Sequence, residues 1–406
     1  MFDRTDQLGR HTMDRALIIG GGIAGPVTAM ALRRAGIEAS VYEASPAETD
    51  NAGSFLTLFA NGLAALRTIG ADGPVREASC AAEAVEFVSD TGRPLGRRAL
   101  AGSWEAGFAP RTLPRAELCR VLREEAVRRG VRVEYGKRLV DVAVRPGGTV
   151  VALFADGSRA EGTMVIGADG IRSRTRVLLD PAAPPPRHTG QITVCGRTRD
   201  AAHAPPPRTY RMYYGRRGLL GCTTAPDGTT FWFANIPGPE LPRGTLAAVT
   251  PDRWRRRVAA VFAEDGTRAA EIVAAAGDDI VGVNAYDLPS TAVWHDDHMV
   301  LAGDAAHATA PNAAQGASLA IEDGVVLARC LRDLPAARAF GAYERLRRER
   351  VERVVALSAA MAGRRARTAD ERRERDAEVE RRMTKDPRTV LNWLTGYRID
   401  WAAPVH

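Results

Sequence analysis

The chain has 406 residues, of which 45% are hydrophobic and 26% charged, with a net charge of +7 at pH 7. That length accommodates two or three domains, and the composition agrees with a soluble enzyme. The positive charge does not make a nucleic-acid stripe: only Lys137 and Lys385 of the 56 basic residues are lysine, and the arginines alternate with acids, as in Arg372-Arg373-Glu374-Arg375-Asp376.

In chain order, residues 1–12 read as a disordered leader before Met13. Ala16 to Ile19 is an apolar run expected to form a buried parallel strand, followed by Gly20-Gly21-Gly22-Ile23-Ala24-Gly25 and a helix over Val27 to Arg34. The stretch from Ala16 to Leu32 is uncharged, but four glycines and Pro26 argue against a membrane span, and no signal-sequence pattern precedes it. A second strand over Ile37 to Tyr42 ends at Glu43. Asn61 to Leu66 lies in a helix ending at Gly70, and Ala84 to Val88 reads as a strand before the Asp90-Thr91-Gly92 turn. Thr112-Leu113-Pro114-Arg115 opens a helix to Arg129, with Pro114 tolerated in its first turn. Strands follow at Val131 to Tyr135, Leu139 to Val144, Val150 to Phe154 and Thr163 to Ile166, the last leaving through Gly167-Ala168-Asp169-Gly170.

Asp180 to Arg187 is a proline-rich linker. Beyond it, Gln191 to Arg197, Thr209 to Tyr214, Gly218 to Thr224 and Thr230 to Ile236 read as one antiparallel sheet. Arg253 to Phe262 and Arg268 to Ala275 are expected helices. Met299 to Ala302 is a buried strand leaving through Gly303-Asp304, and a loop past Pro311 leads to a helix opening at Gln315-Gly316. From Ile321 onward the sequence is mainly helical. The five cysteines contain no CxxC pair, which fits a reducing cytoplasm without a disulfide framework.

Two of these places carry chemistry. Gly20 allows a tight turn, Gly22 lets backbone approach a pyrophosphate, and Gly25 lets helix and strand pack closely. Glu43, 21 residues after Gly22, is placed to accept hydrogen bonds from ribose hydroxyls. At the other end of the chain, the Asp304 carboxylate at a strand exit faces the start of a helix, with its unpaired N–H groups and positive dipole end. That combination suits sugar hydroxyls on one side and an electron-accepting ring on the other, as in a flavin. An adenosine half together with a flavin is FAD.

Three motifs in this order, Gly20 to Gly25, then Gly167-Ala168-Asp169-Gly170 with Arg172 and Ser173, then Gly303-Asp304-Ala305-Ala306-His307 with Pro311, with a β-rich block between the last two, resemble the class A flavoprotein monooxygenases, the aromatic hydroxylases typified by para-hydroxybenzoate hydroxylase. The likeness runs from about Ala16 to Arg353. It implies an α/β fold: a Rossmann-like FAD-binding domain (13–82, 108–186 and 290–350), a second, antiparallel β-sheet substrate domain (83–107 and 187–289) and a helical C-terminus (351–406). It implies cofactor contacts from Gly20, Gly22, Ile23, Ala24, Gly25, Glu43, Arg115, Asp169, Gly303, Asp304, Pro311, Gly316, Ala317 and Ser318. Asp169 would lie near the pyrophosphate and Arg115 would reach the flavin. Ala314 stands where the family often has glycine and Ser318 where asparagine is common, both in the segment expected to face the flavin's pyrimidine edge.

The resemblance also implies tightly bound FAD and a transient visit by NADPH or NADH, since only one GxGxxG is present. Oxygen from O2 would reach an aromatic or polyketide-like small molecule through a C4a-hydroperoxyflavin. The flavin carries the chemistry, and no side chain stands out as catalytic. Arginine-heavy usage suggests a high-GC bacterial source, where such enzymes tailor natural products. Phe59, Met212, Tyr213, Trp232 and Phe233 are candidate pocket walls. His307 is expected to shape its loop rather than act as a base, and His295-Asp296-Asp297-His298 fits a turn better than a metal site. The expected partners are a small-molecule substrate, O2 and NAD(P)H, without nucleic acid or membrane, in a cytoplasmic monomer or homodimer. The alternatives are a non-oxygenating flavoprotein (a reductase or an FAD-scaffolded cyclase) and a flavin-dependent halogenase. For the halogenase, Trp232 to Pro237 nearly matches the Trp-x-Trp-x-Ile-Pro signature, but no lysine is suitably placed.

Overall fold

The first sheet grows from the most apolar runs of the chain. A computed structural model describes residues 14–46, 54–100, 107–199, 201–363, 366, 368–386 and 392–406; the expected leader lies outside them. Arg15–Ile19 is the central strand, with Met164–Gly167 and then Met299–Leu301 on one side, and Glu38–Tyr42 and then Arg132–Glu134 on the other. All four pairings are parallel. Parallel strands covered on both faces need apolar residues at successive positions, and Leu17, Ile18, Val165, Ile166, Val300 and Leu301 are all fully buried. The chain passes from the central strand to one neighbour and returns much later on the other side. Beyond Ile19 this leaves the crevice in which open α/β sheets bind ligands.

Helices cover one face. Ala24–Arg34 and Gly316–Asp333 lie against each other, with Ala60–Thr68, Arg115–Arg128 and Ala336–Gly363 around them. The other face carries an antiparallel sheet of Leu139–Val144, Val150–Phe154 and Arg159–Gly162, which buries Phe154 against Tyr42. Arg115 begins its helix as expected, but Arg111–Pro114 before it is a strand, pairing with Phe55–Leu58 and Cys80–Ala81. Pro114 is therefore the residue that caps the helix from outside, where its missing N–H costs nothing.

The second sheet has seven strands, in the order Ile280–Asp287, Arg187–Arg199, Thr229–Pro237, Leu219–Thr224, Thr209–Tyr214, Ala84–Ser89 and Pro94–Ala99. It is antiparallel as expected except at one junction, where Ala84–Ser89 runs parallel to Thr209–Tyr214. One face holds Trp232, Ile236, Val194, Leu220 and Tyr213 against Trp254, Val258 and Phe262 of the helix Pro251–Phe262. The opposite face turns toward the small sheet below it. Phe55 sits 5.4 Å from Phe231 and 6.2 Å from Phe233, ring centre to ring centre, and the Tyr210 hydroxyl meets Thr57 and Thr112 at 2.6 and 2.8 Å.

The chain after residue 350 is mainly helical. Ala369–Met383 covers the edge strand Pro94–Ala99, with Met383 over Gly96 and Glu380 paired with Arg93. An open strand edge invites pairing with other chains, and a helix over it prevents that. Beyond Thr395 the chain is irregular, held by arginines stacked on Tyr397 and Trp401. Among the described residues no helix is long and apolar enough to cross a membrane.

Candidate functional site

The glycine turn is built by close contacts that leave no room for side chains. A Cβ on Gly20, where φ is +110°, would lie 2.3 Å from the Ala168 carbonyl oxygen, and one on Gly25 would lie 1.9 Å from the Gly20 oxygen. Beside Gly22 there is nothing within 4 Å of where a Cβ would be, so the backbone there faces open space. The helix that follows has no side-chain cap and no acid in its first turn, so its N–H groups and positive end remain available to an anion. Glu43 lies against this turn: Oε2 accepts the Gly21 N–H at 2.6 Å and Oε1 accepts the Ser45 N–H at 2.8 Å. Arg123, which the sequence did not single out, reaches the Gly21 carbonyl at 3.5 Å. It lies two helical turns beyond Arg115, and that spacing was its only signal.

The second motif braces the first. Ala168 donates its N–H to Ile19 at 2.8 Å. Asp169 lies against the same turn, its Cα 3.0 Å from where a Gly20 Cβ would be. Its carboxylate accepts from Ser173 Oγ at 2.5 Å and from the Thr175 N–H and hydroxyl at 3.0 and 3.1 Å. These bonds brace the turn into Arg174–Leu179 and, through Ala168, the contact with Gly20. Buried Arg176, on that helix, donates to the Ala305 carbonyl at 2.9 Å. The second motif is thereby joined to the third.

Gly303 leaves its strand with φ +62° and is wedged between Ala24 and Ala320. Farther along, Gly324 is pressed against Thr28, so the helices Ala24–Arg34 and Gly316–Asp333 run parallel and begin on the same side. Asp304 opens into the space between those starts, its Oδ1 3.8 Å from where a Gly316 Cβ would be. It is walled by protein on its other sides, and this enclosure pushes its carboxyl pKa up, opposed by His307 and by Arg115 from the start of the neighbouring helix. The Gly316 helix also lacks a side-chain cap and an acid in its first turn. Pro311 is exposed at the head of a short turn that ends at Ala314, whose φ of +50° is left-handed. Gly316 and Ala317 are partly open, but Ser318 is not. Its hydroxyl is buried against Gly62 and accepts the Phe59 N–H at 3.4 Å, so its side chain faces the Ala60–Thr68 helix and not the crevice.

His307 is buried, with Nε2 2.5 Å from Asp323 Oδ2. In the His295 to His298 turn, Asp296 accepts the N–H groups of His298 and Met299 at 2.7 and 2.6 Å. Among the described residues no cluster of metal-ligating side chains occurs.

The pocket candidates divide by strand parity. Met212 and Phe233 share the face that carries Phe55, Phe231 and Tyr210, because paired and alternate residues point the same way. Tyr213 and Trp232 point to the opposite face, into the core under Trp254 and Phe262, and are removed from the pocket. Phe59 is half-buried at the start of Ala60–Thr68. Phe55, Phe231 and Tyr210 meet on the Met212 and Phe233 face; the sequence did not single them out, because it does not reveal the facing partner of a strand.

An uncharged cradle at one helix start, a second uncapped helix start beside it, an acid braced against the glycine turn and a carboxylate between the two starts suit a dinucleotide that carries a ring. The profile of the FAD binding domain family matches residues 14–358. The chain belongs to this FAD-binding family. It is 35% identical over 351 residues to 3-amino-4-hydroxybenzoate 2-monooxygenase of Streptomyces platensis, covering 84% of this chain and 85% of that protein. It is 30% identical to the aurachin C monooxygenase/isomerase of Stigmatella aurantiaca, covering 84% and 87%. Klebsiella pneumoniae HpxO complexed with FAD and uric acid superposes with a TM-score of 0.83 at 25% identity, covering 96% of this chain and 98% of that one. The flavoprotein described here is thus an FAD-dependent monooxygenase of the class A type, with NAD(P)H as electron donor. The open cradle at Gly22 and the uncapped start at Gly316 fit FAD.

Proposed function

We propose that the FAD-dependent monooxygenase inserts one oxygen atom from O2 into a small, electron-rich aromatic ring held against Phe233, Met212 and Phe55. The observation that carries this reading is the parallel pair of uncapped helix starts with Asp304 between them. In the proposed assignment Glu43 holds the adenosine ribose and the Gly22 backbone receives the pyrophosphate. Asp304 takes the ribityl or phosphate-side hydroxyls. The N–H groups at Gly316 and Ala317 stabilise negative charge on the pyrimidine edge of the reduced ring. Arg115 balances the charge of Asp304 across the crevice. When bound, FAD supplies the electron transfer and oxygen activation; the protein binds, orients and excludes water.

The same proposal assigns residues 13–82, 108–186 and 290–350 to the cofactor, 83–107 and 187–289 to the substrate, and 351–406 to bracing. It places the enzyme in the cytoplasm as a monomer or homodimer. Two named relatives act on ring compounds, an aminohydroxybenzoate and aurachin C, which favours hydroxyaryl or aminoaryl metabolites in natural-product tailoring. The test is NAD(P)H oxidation by purified protein against a panel of such compounds in 18O2. Substrate-stimulated oxidation with one labelled oxygen in the product is expected. Peroxide release alone across the panel would overturn the substrate class.

A further inference from the structure

Glu322 and Asp323 are neighbours on the Gly316–Asp333 helix, and both are fully buried, as is Arg347 from the Ala336–Gly363 helix. Arg347 Nε donates to Asp323 Oδ1 at 2.8 Å, and one of its terminal nitrogens lies 2.7 Å from Glu322 Oε2. From there the two acids reach different walls of the crevice. Asp323 Oδ2 accepts the Gly303 N–H at 2.9 Å and stands 2.5 Å from His307 Nε2. A carboxylate can only accept, so that ring nitrogen carries the proton. Glu322 Oε1 accepts from the Asn61 amide at 2.7 Å, and the same amide donates to Gln315 Oε1 at 3.0 Å. Gln315 is the residue on which the Gly316 helix opens.

The cluster is closed on its outer side. Arg350 grips Glu322 with two nitrogens, each at 2.8 Å, and donates to the carbonyls of Trp393 and Leu394. The Tyr397 ring covers both arginines. Well-packed apolar side chains could hold these two helices together at no loss of stability, so a buried ion cluster is weak evidence for a stabilising role. Its distinguishing property is geometric. A guanidinium is a rigid planar fork that fixes two carboxylates relative to each other, which an ammonium cannot do.

We propose that Arg347 is a positioning residue for the cofactor: one buried guanidinium ties the strand exit at Gly303–Asp304 to the helix start at Gln315–Gly316, so that both walls of the crevice are set together. This rests on the assignment of Asp304 and Gly316 to the cofactor. Small misplacements of such groups cost disproportionately, because the N–H groups and the carboxylate act only at hydrogen-bond range.

The test measures FAD dissociation constants by flavin fluorescence, and the visible circular dichroism of bound flavin, on the full chain. Asp323→Asn loosens one wall and Asn61→Ala the other. In the native background the double variant should depart from additivity by about threefold or more in FAD affinity, as residues of one network do. In Arg347→Lys the departure should vanish and the flavin dichroism should change. Additive losses in the native background would overturn the proposal, as would an Arg347→Lys protein with unchanged FAD affinity and dichroism whose only defect is a lower apoprotein Tm. If Arg347→Lys does not fold, the native-background cycle decides alone. Asp304→Ala is the control: unchanged FAD affinity there would overturn the assignment of the crevice, and the clamp with it, whereas an additive cycle beside a weakened Asp304→Ala removes the clamp alone.

Discussion

Two helices open on the same crevice without a cap or an acid, and they are held there by different means. The start of Ala24–Arg34 is fixed by backbone against backbone, through Gly20 on Ala168 and Gly25 on Gly20. The start of Gly316–Asp333 is fixed by side chains from elsewhere in the chain. Asn61 holds Gln315, Ser358 accepts the Ala313 N–H at 3.0 Å, and Arg347 joins Glu322 to Asp323. The first arrangement is steric and admits no added atom; the second is polar and gives way by degrees. Substitutions at the first should therefore act as switches, and substitutions at the second as graded losses.

The largest effect is expected at Gly25→Ala. The new methyl would fall 1.9 Å from the Gly20 oxygen, and overpacking of this kind costs about 3 kcal/mol or more when only backbone can move. The expected product is insoluble or free of FAD, read from the visible spectrum after purification. A soluble, fully yellow Gly25→Ala would break the steric half of the comparison.

Asp304→Ala should be milder. Removing a charge-assisted hydrogen bond is worth roughly 1.5–3 kcal/mol, which corresponds to about a tenfold to hundredfold loss of FAD affinity. A titration of apoprotein with FAD measures it. His307→Ala should keep measurable turnover, because its ring holds Asp323 and does not open to the crevice. Abolished turnover with FAD still bound would return His307 to a chemical role.

The polar side of the comparison carries a pH signature. Although burial works against ionisation of Asp323, His307 and Arg347 more than offset it and hold its carboxyl well below the usual range. A folded pKa below the unfolded value of about 4 contributes stability above that pH and loses it as pH falls through the folded value. Below about pH 4 the Tm of the native protein should therefore fall more steeply than that of Asp323→Asn. Parallel curves for the two proteins would place the acid sensitivity elsewhere.

The smallest expected effect is at Ala314→Gly. Ala314 holds a left-handed φ of +50°, which costs an L-residue roughly 1–2 kcal/mol, while glycine adds about 0.5–1 kcal/mol of unfolded-chain entropy. A rise in Tm of about 1–2 °C is expected, with FAD affinity unchanged. A lower Tm would show that the Ala314 methyl contributes packing that outweighs its strain.

The sequence by itself determined the glycine turn, Glu43, the Gly303–Asp304 strand exit and the helix opening at Gly316, and with them the cofactor and the family. Glycine geometry acts over a few residues, and a βαβ unit closes within about thirty, so these features are written locally. Only the tertiary structure decided which faces meet. Alternation along a strand separates Trp232 from Phe233 and Tyr213 from Met212, but it does not say which face is roofed by helices and which meets the small sheet of Phe55–Leu58. The same holds for Ser318, which turns to Gly62. Asn61 and Glu322 stand 261 positions apart in the chain and meet at 2.7 Å. A pair of buried acids and an arginine look like any solvated helix face in sequence, and become a clamp only where packing excludes water and the charges must be satisfied by protein groups.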